Sequence, residues 1–267
     1  QVFRGAEARL VPVPMDSHGI DLAGVDRVLA EERPKLLYLV PDHQNPAGSR
    51  LPLERRRPLL EICRRHGVAI LEDDPYGEIC FEGRRHPPLF ALDEHGVVTY
   101  LSTFSKTLAP GLRLGWMAGP PEFLRAAAIM KQGIDLHTST LNQRAAACLL
   151  ETFDYDGHLA VIRETYHRRA LAMEAALRAH FGGRARWVSP SGGLFLWLAL
   201  DGSLSIDRLF ERALAAQVAF VPGDSFFAGQ VPGPHLRLNF SHRPESVIEE
   251  GIQRLGQALQ ELAADRS

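Results

Sequence analysis

Through the first half of the chain, short apolar runs alternate with amphipathic stretches. KLLYLV (35–40), VAILED (68–73), VVTYLS (97–102) and LRLGWMAG (112–119) are each too short for a helix and show no regular polar alternation. Strands of a parallel sheet covered on both faces have this pattern, so the alternation predicts a mostly parallel sheet flanked by helices. Between the first two runs, Leu59, Ile62, Cys63 and His66 mark one helix face, Pro58 suits a first-turn position, and Gly67 is a stop signal. That segment reads as a βαβ crossover.

After Pro120 the texture changes. PEFLRAAAIMKQG and TLNQRAAACLLE read as helices, followed by a long amphipathic helix from about Gly157 to Phe181 with the stripe Leu159, Ile162, Tyr166, Met173, Leu177 and Phe181. Gly182 and Gly183 end it. Beyond it ARWVSP, GLFLWLAL, VAFVPG and HLRLNFS read as strands, interrupted by a helix that Ser205 can cap. Val247, Ile248, Ile252, Leu255, Leu259 and Leu262 stripe a last helix. The chain therefore reads as an α/β domain over 1–155, which includes the connecting helices, and a smaller α+β domain over 156–267. Repeats and low-complexity segments are absent from the sequence.

Composition narrows the function. With 267 residues, 45% of them hydrophobic, the chain can bury one large core or two smaller ones. Its formal net charge of -2, with basic residues scattered along the chain, gives no electrostatic footprint for nucleic acid or an anionic membrane and favours a small neutral or zwitterionic partner. Cys63, Cys80 and Cys148 are far apart and form no CxxC pair, so neither a disulfide framework nor a metal site is expected, and a reducing cytoplasm is. No apolar run reaches the length of a membrane span, and the first twenty residues lack the apolar core of a signal peptide.

In open α/β sheets ligands bind beyond the carboxyl ends of the strands. The first run is followed by PDHQNPAG, with Asn45 in a turn. The second leads into EDDPYGE, with Asp73 and Tyr76, and the third into STFSK, with Thr103, Ser105 and Lys106; Arg113 heads the fourth. Taken singly, Asn-Pro is a turn, Asp-Asp-Pro a loop start and Lys106 a solvated side chain. Together and in order they suit one chemistry. A lysine amine in a partly apolar site can lose its proton and form an imine with an aldehyde cofactor. Pyridoxal phosphate would then need an anion at its ring nitrogen, a donor to its ring oxygen, and hydroxyl and guanidinium groups for its phosphate. Asp73, Asn45 with Tyr76, and Thr103 and Ser105 with Arg113 supply that set.

On these residues the chain resembles the fold-type I pyridoxal-phosphate aminotransferases of class I/II, and within them the α-aminoadipate and kynurenine aminotransferase group. NPAG, EDDPYGE, TFSKTLAPGLRLGW, KQGIDLHT, SGGLFLW, FVPGDSFF and HLRLNFS stand in the expected order along the whole chain. The resemblance implies that Lys106 is the Schiff-base lysine, that Asp73 partners the pyridinium nitrogen, and that Asn45 and Tyr76 bind the ring oxygen. It places Thr103, Ser105 and Arg113 on the phosphate and Arg237 on the substrate α-carboxylate. Thr103 departs in detail, since many members carry serine there. Lys131, His43 and His137 lie near matched segments and are read as structural or as residues that support the site from behind.

Members of the family are longer. By the resemblance the chain starts inside the large domain, without the glycine- and serine-rich turn that cups the phosphate, the aromatic that stacks on the ring, and the N-terminal specificity arm. A large domain lacking them is expected to expose an apolar edge. The implied activity is amino-group transfer between an α-amino acid and a 2-oxo acid by a cytoplasmic homodimer. Two alternatives remain. One is the aminotransferase-like effector domain of a GntR-type (MocR-like) regulator carrying a winged helix for DNA; the other is a lyase or decarboxylase on the same fold. EDDPYGE and FVPGDSFF favour the enzyme.

Overall fold

The computed structural model describes residues 2–202 and 204–265. In chain order the elements are α1 (Val2–Gly5), β1 (Met15–Asp16), β2 (Gly19–Ile20), α2 (Leu22–Glu32), β3 (Leu36–Leu39), α3 (Leu53–His66), β4 (Ala69–Asp73), α4 (Leu89–Leu92), β5 (Val98–Thr103) and β6 (Gly115–Ala118). Then come α5 (Pro121–Asp135), α6 (Thr140–Thr152), α7 (Tyr155–His180), β7 (Ala185–Arg186), β8 (Phe195–Leu200), α8 (Ile206–Ala215), β9 (Val221–Pro222), β10 (His235–Asn239) and α9 (Glu245–Ala264). They divide into two compact units. One comprises Val13–Gln44 and Ser49–Arg163, the other Gln1–Pro12, Asn45–Gly48 and Glu164–Ser267.

The first unit is built on a four-stranded sheet of order β3-β4-β5-β6. β3, β4 and β5 are parallel, with Tyr38 opposite Leu71 and Asp73 opposite Leu101. β6 returns antiparallel, pairing Gly115 with Thr103. The three parallel strands therefore end, and β6 begins, on one side of the sheet. Val25 and Leu29 of α2, Leu59 and Cys63 of α3, and Ile70 and Val98 from the strands form its core.

The α3 crossover starts earlier than the proline signal predicts. Its first residue is Leu53, capped by Pro52, so Pro58 lies inside the helix and not in its first turn. An interior proline costs about 3 kcal/mol, and the full burial of Leu59 and Cys63 beside the largely buried Leu60, at roughly 2 kcal/mol for each leucine, offsets it. Gly67 does end the helix, in the left-handed conformation at φ 66°. At the outer strand, Trp116 and Met117 of β6 are exposed, as are Ile129, Met130 and Ile134 of α5.

The second unit holds an antiparallel sheet of order β7-β8-β10-β9. Met173 and Leu177 of α7, Leu209 of α8, and Ile252, Leu255 and Leu259 of α9 are buried with Leu196, Leu198, Leu236 and Leu238 of the strands. Ser205 caps α8 by accepting the Arg208 N–H. Two expectations shrink. ARWVSP pairs only at Ala185 and Arg186, and Val247, placed on the α9 stripe, is exposed. Val247 falls in the first turn of α9, three residues past the Pro244 cap, before the regular stripe begins at Ile248.

Candidate active site

Strand direction decides which side chains meet. Because β4 and β5 are parallel neighbours, Asp73 and Thr103 close their strands at the same side of the sheet, and antiparallel β6 brings Arg113, two residues before its start, to that side too. Tyr76 follows three residues after Asp73 and is buried. Ser105 and Lys106 lie in the turn after β5. Six of the eight residues picked from the sequence thus gather in the first unit.

The EDD triplet separates by strand alternation. Glu72 and Asp74 are buried, whereas Asp73 is half-buried. Asp74 accepts hydrogen bonds from Tyr100 Oη (2.8 Å) and the Gly77 N–H (2.8 Å), and lies 3.7 Å from Arg85. The Asp74 carboxylate lies so close here that a Cβ on Gly77 would sit 2.5 Å from Asp74 Oδ1, so a larger residue would displace that carboxylate. Glu72 accepts the N–H groups of Leu89 and Phe90, both at 2.8 Å, and burial pushes its carboxyl up to about 7. Asp73 faces the other way and accepts from Tyr38 Oη at 2.7 Å. Burial raises its pKa and the Tyr38 bond partly counters that. A cationic N–H beside it would hold it ionised.

Lys106 is half-buried, and its amine makes no hydrogen bond or ion pair among the described residues. The turn beneath it is fixed by other groups. Thr103 Oγ1 donates to Leu114 O (2.7 Å), accepts the Ser105 N–H (3.1 Å) and lies 3.0 Å from Ser105 Oγ. Leu108 N–H donates to Phe104 O (2.9 Å). His158 Nε2 donates to Thr107 O (3.0 Å), the carbonyl next to Lys106. Arg113 sits left-handed at φ 52° after the turn Pro110–Leu112, and its side chain donates to Pro110 O at 3.1 Å without meeting a carboxylate. Lys131 is tied to Asp135 and His137 to Thr138 O.

The remaining two residues meet in the second unit. Arg237 Nη1 donates to Asn45 Oδ1 at 2.6 Å. The guanidinium lies 4.0 Å from the Phe195 ring centre and 5.1 Å from that of Phe226, a sandwich that fixes its plane.

Sequence reasoning missed Tyr38 and His158. Tyr38 sits among Leu36, Leu37, Leu39 and Val40, so periodicity could not single it out. Only the β3–β4 register brings its hydroxyl to Asp73.

The donor set suits pyridoxal phosphate. A lysine amine without a protein partner among the described residues, a carboxylate on the neighbouring strand end, the Ser105 hydroxyl and a guanidinium free of carboxylates gather on one side of one sheet, and their chemistry matches what the cofactor's aldehyde, ring nitrogen and phosphate require.

Comparison with known proteins bears out the family. The model for aminotransferase class I and II matches residues 1–255, and the chain belongs to that family. It is 39% identical to aromatic-amino-acid aminotransferase 1 of Thermococcus litoralis, over 98% of this chain and 64% of that protein. Among solved structures, the α-aminoadipate aminotransferase LysN of Thermus thermophilus, complexed with N-(5'-phosphopyridoxyl)-L-leucine, matches with a TM-score of 0.95 at 41% identity, covering 98% of this chain and 68% of that one. An uncharacterised HTH-type transcriptional regulator of Bacillus subtilis, YisV, is 33% identical over 98% of this chain and 54% of its own length. The chain thus spans just under two thirds of the first relative.

Proposed function

We propose that the whole protein is a pyridoxal-phosphate-dependent aminotransferase acting in amino-acid metabolism, moving an amino group between an α-amino acid and a 2-oxo acid. The observation that carries this reading is Lys106, a half-buried amine with no partner among the described residues, one strand away from Asp73 at the same end of the sheet. When bound, the cofactor would supply an electron sink for the carbanion formed at the substrate Cα. Asp73 would hold the ring nitrogen protonated, oriented by Tyr38. Asn45 and Tyr76 would bind the ring oxygen, and Ser105, Arg113 and the Thr103-fixed turn would receive the phosphate. Lys106 would hold the cofactor at its aldehyde carbon and, once freed by substrate, move the proton from the substrate Cα. Arg237 would bind the α-carboxylate through its planar fork.

In this reading residues 1–155 form the cofactor-binding part and 156–267 the smaller domain, and the working form is a cytoplasmic homodimer. No helix among the described residues is long and apolar enough to cross a membrane.

The regulator reading draws on the YisV match; the higher identity to aminotransferases and the segment EDDPYGE favour the enzyme. Incubating the whole protein with a panel of amino acids and a 2-oxo acid acceptor separates the readings. Exchange of amino groups is expected. Cofactor binding without turnover would indicate an effector domain, and ammonia or carbon dioxide release would indicate a lyase or decarboxylase.

A further inference from the structure

Arg56 is the bulkiest fully buried side chain among the described residues. Its guanidinium is satisfied on every side: Nη2 donates to Asp42 Oδ1 (2.7 Å), Nη2 and Nε to Leu51 O (both 3.2 Å), and Nη1 to Pro87 O (2.9 Å). Asp42, itself buried, also accepts from Arg50 Nε (3.3 Å). Asp42 and Leu51 are the two stems of the loop that carries Asn45, which backbone bonds also close, from Leu51 N–H to Pro41 O (2.7 Å) and from Gln44 N–H to Ser49 O (2.9 Å).

A buried ion pair is weak evidence for stability, because well-packed apolar residues often serve as well. An apolar side chain at position 56, however, could not hold the Asp42 carboxylate and the Leu51 carbonyl in fixed register on one planar group. A group that contacts a ligand tolerates displacement of only about 0.5 Å, and Asn45 is three residues from Asp42. We infer that Arg56, through Asp42 and Leu51, is a positioning residue for Asn45. Neither touches the cofactor; they set the geometry of the loop that does. The inference rests on the reading that Asn45 binds the ring oxygen.

Two measurements on the whole protein test it. In the cofactor-free form, amide exchange over residues 44–51 should accelerate roughly tenfold in Arg56→Met, about what losing a hydrogen bond of 1.4 kcal/mol allows, while α9 stays protected. In the loaded form, the pH titration of the bound cofactor's visible absorption should move in the same direction in Arg56→Met as in Asn45→Ala, and Arg56→Met should add nothing in the Asn45→Ala background. Arg56→Lys, which keeps the charge but cannot span the three acceptors, should recover only part of the shift. If Arg56→Met does not fold, Asp42→Asn carries both measurements with the same expectations, since it keeps the shape and discharges the pair. Unchanged loop exchange, or titration shifts that add in the double variant, would overturn the positioning role. A silent Asn45→Ala with accelerated loop exchange would instead withdraw the ring-oxygen assignment of Asn45 and leave Arg56 as a clamp with no functional object.

Discussion

Two groups of charges in the same sheet unit are treated in opposite ways. Around Arg56, the buried carboxylates Asp42, Glu72 and Asp74 are each matched by a guanidinium, a hydroxyl or backbone N–H groups. At the strand ends, Lys106 has no partner and Arg113 donates only to a carbonyl among the described residues. Glu72, Asp73 and Asp74 are consecutive, yet the outer two belong to the first group and the middle one faces the second. Charge alone therefore does not mark the site. What sets Lys106 apart is partial burial without a protein partner among the described residues, which leaves its amine available to a ligand.

The sharpest way to break this comparison is to neutralise neighbouring carboxylates in the whole protein. Asp73→Asn removes the anion proposed for the ring nitrogen and should lower the transamination rate by at least roughly a hundredfold, with little change in melting temperature. Asp74→Asn should do the reverse, because it breaks a bonded buried network and leaves Asp73 in place. Rates and melting curves that show the opposite pattern would exchange the two roles.

Next in size is Arg237→Lys. It keeps charge but loses the fork that Phe195 and Phe226 hold flat, and should weaken apparent affinity by about 1 to 3 kcal/mol. The loss should be similar for 2-aminoadipate, glutamate, leucine and an aromatic amino acid. A loss confined to the acidic substrates would make Arg237 a side-chain reader.

His43 is one group expected to make the scaffold's stability depend on pH. It is buried beside the Asp42 stem, and burial lowers its pKa to about 4, against an ordinary 6.5. The folded state prefers the neutral ring, so the stability it contributes is complete above pH 6.5 and is lost as the pH falls toward 4. Glu72, its folded carboxyl raised to about 7, works the other way and gains stability as the pH falls through that range. The His43 share is therefore read as the difference between parent and variant. In chemical denaturation from pH 7 to 4, His43→Asn should lose less stability on acidification than the parent; asparagine tolerates the left-handed backbone that His43 adopts at φ 51°. The smallest effect expected is that of Tyr38→Phe. Losing its bond to Asp73 should raise the Asp73 pKa further and slow turnover by about 0.5 to 1.5 kcal/mol, read from the pH dependence of the rate.

Much of this was legible in the sequence, and the exceptions have physical reasons. The parallel strands declared themselves as short apolar runs, although only one face of β3 is covered, Leu36 and Tyr38 on the other being exposed. The candidate site residues were found because ligands gather where such strands end. The early start of α3 was hidden because packing of Leu59 and Cys63 overrides the proline. Arg56 stands in the run Arg55, Arg56, Arg57, which composition reads as a solvated face. Only its helical spacing, three before Leu59 and seven before Cys63, puts it on the buried side. Tyr38 and His158 act across 35 and 51 residues of chain, a distance no local pattern spans.

The central claim is that Lys106 was left unpaired in order to bind the cofactor aldehyde. Borohydride reduction of the whole, cofactor-loaded protein followed by mass mapping of the modified peptide tests it most directly. The account predicts a phosphopyridoxyl adduct on Lys106 that is absent from Lys106→Ala; an adduct on Lys35 or Lys131, or none on any lysine, would contradict it.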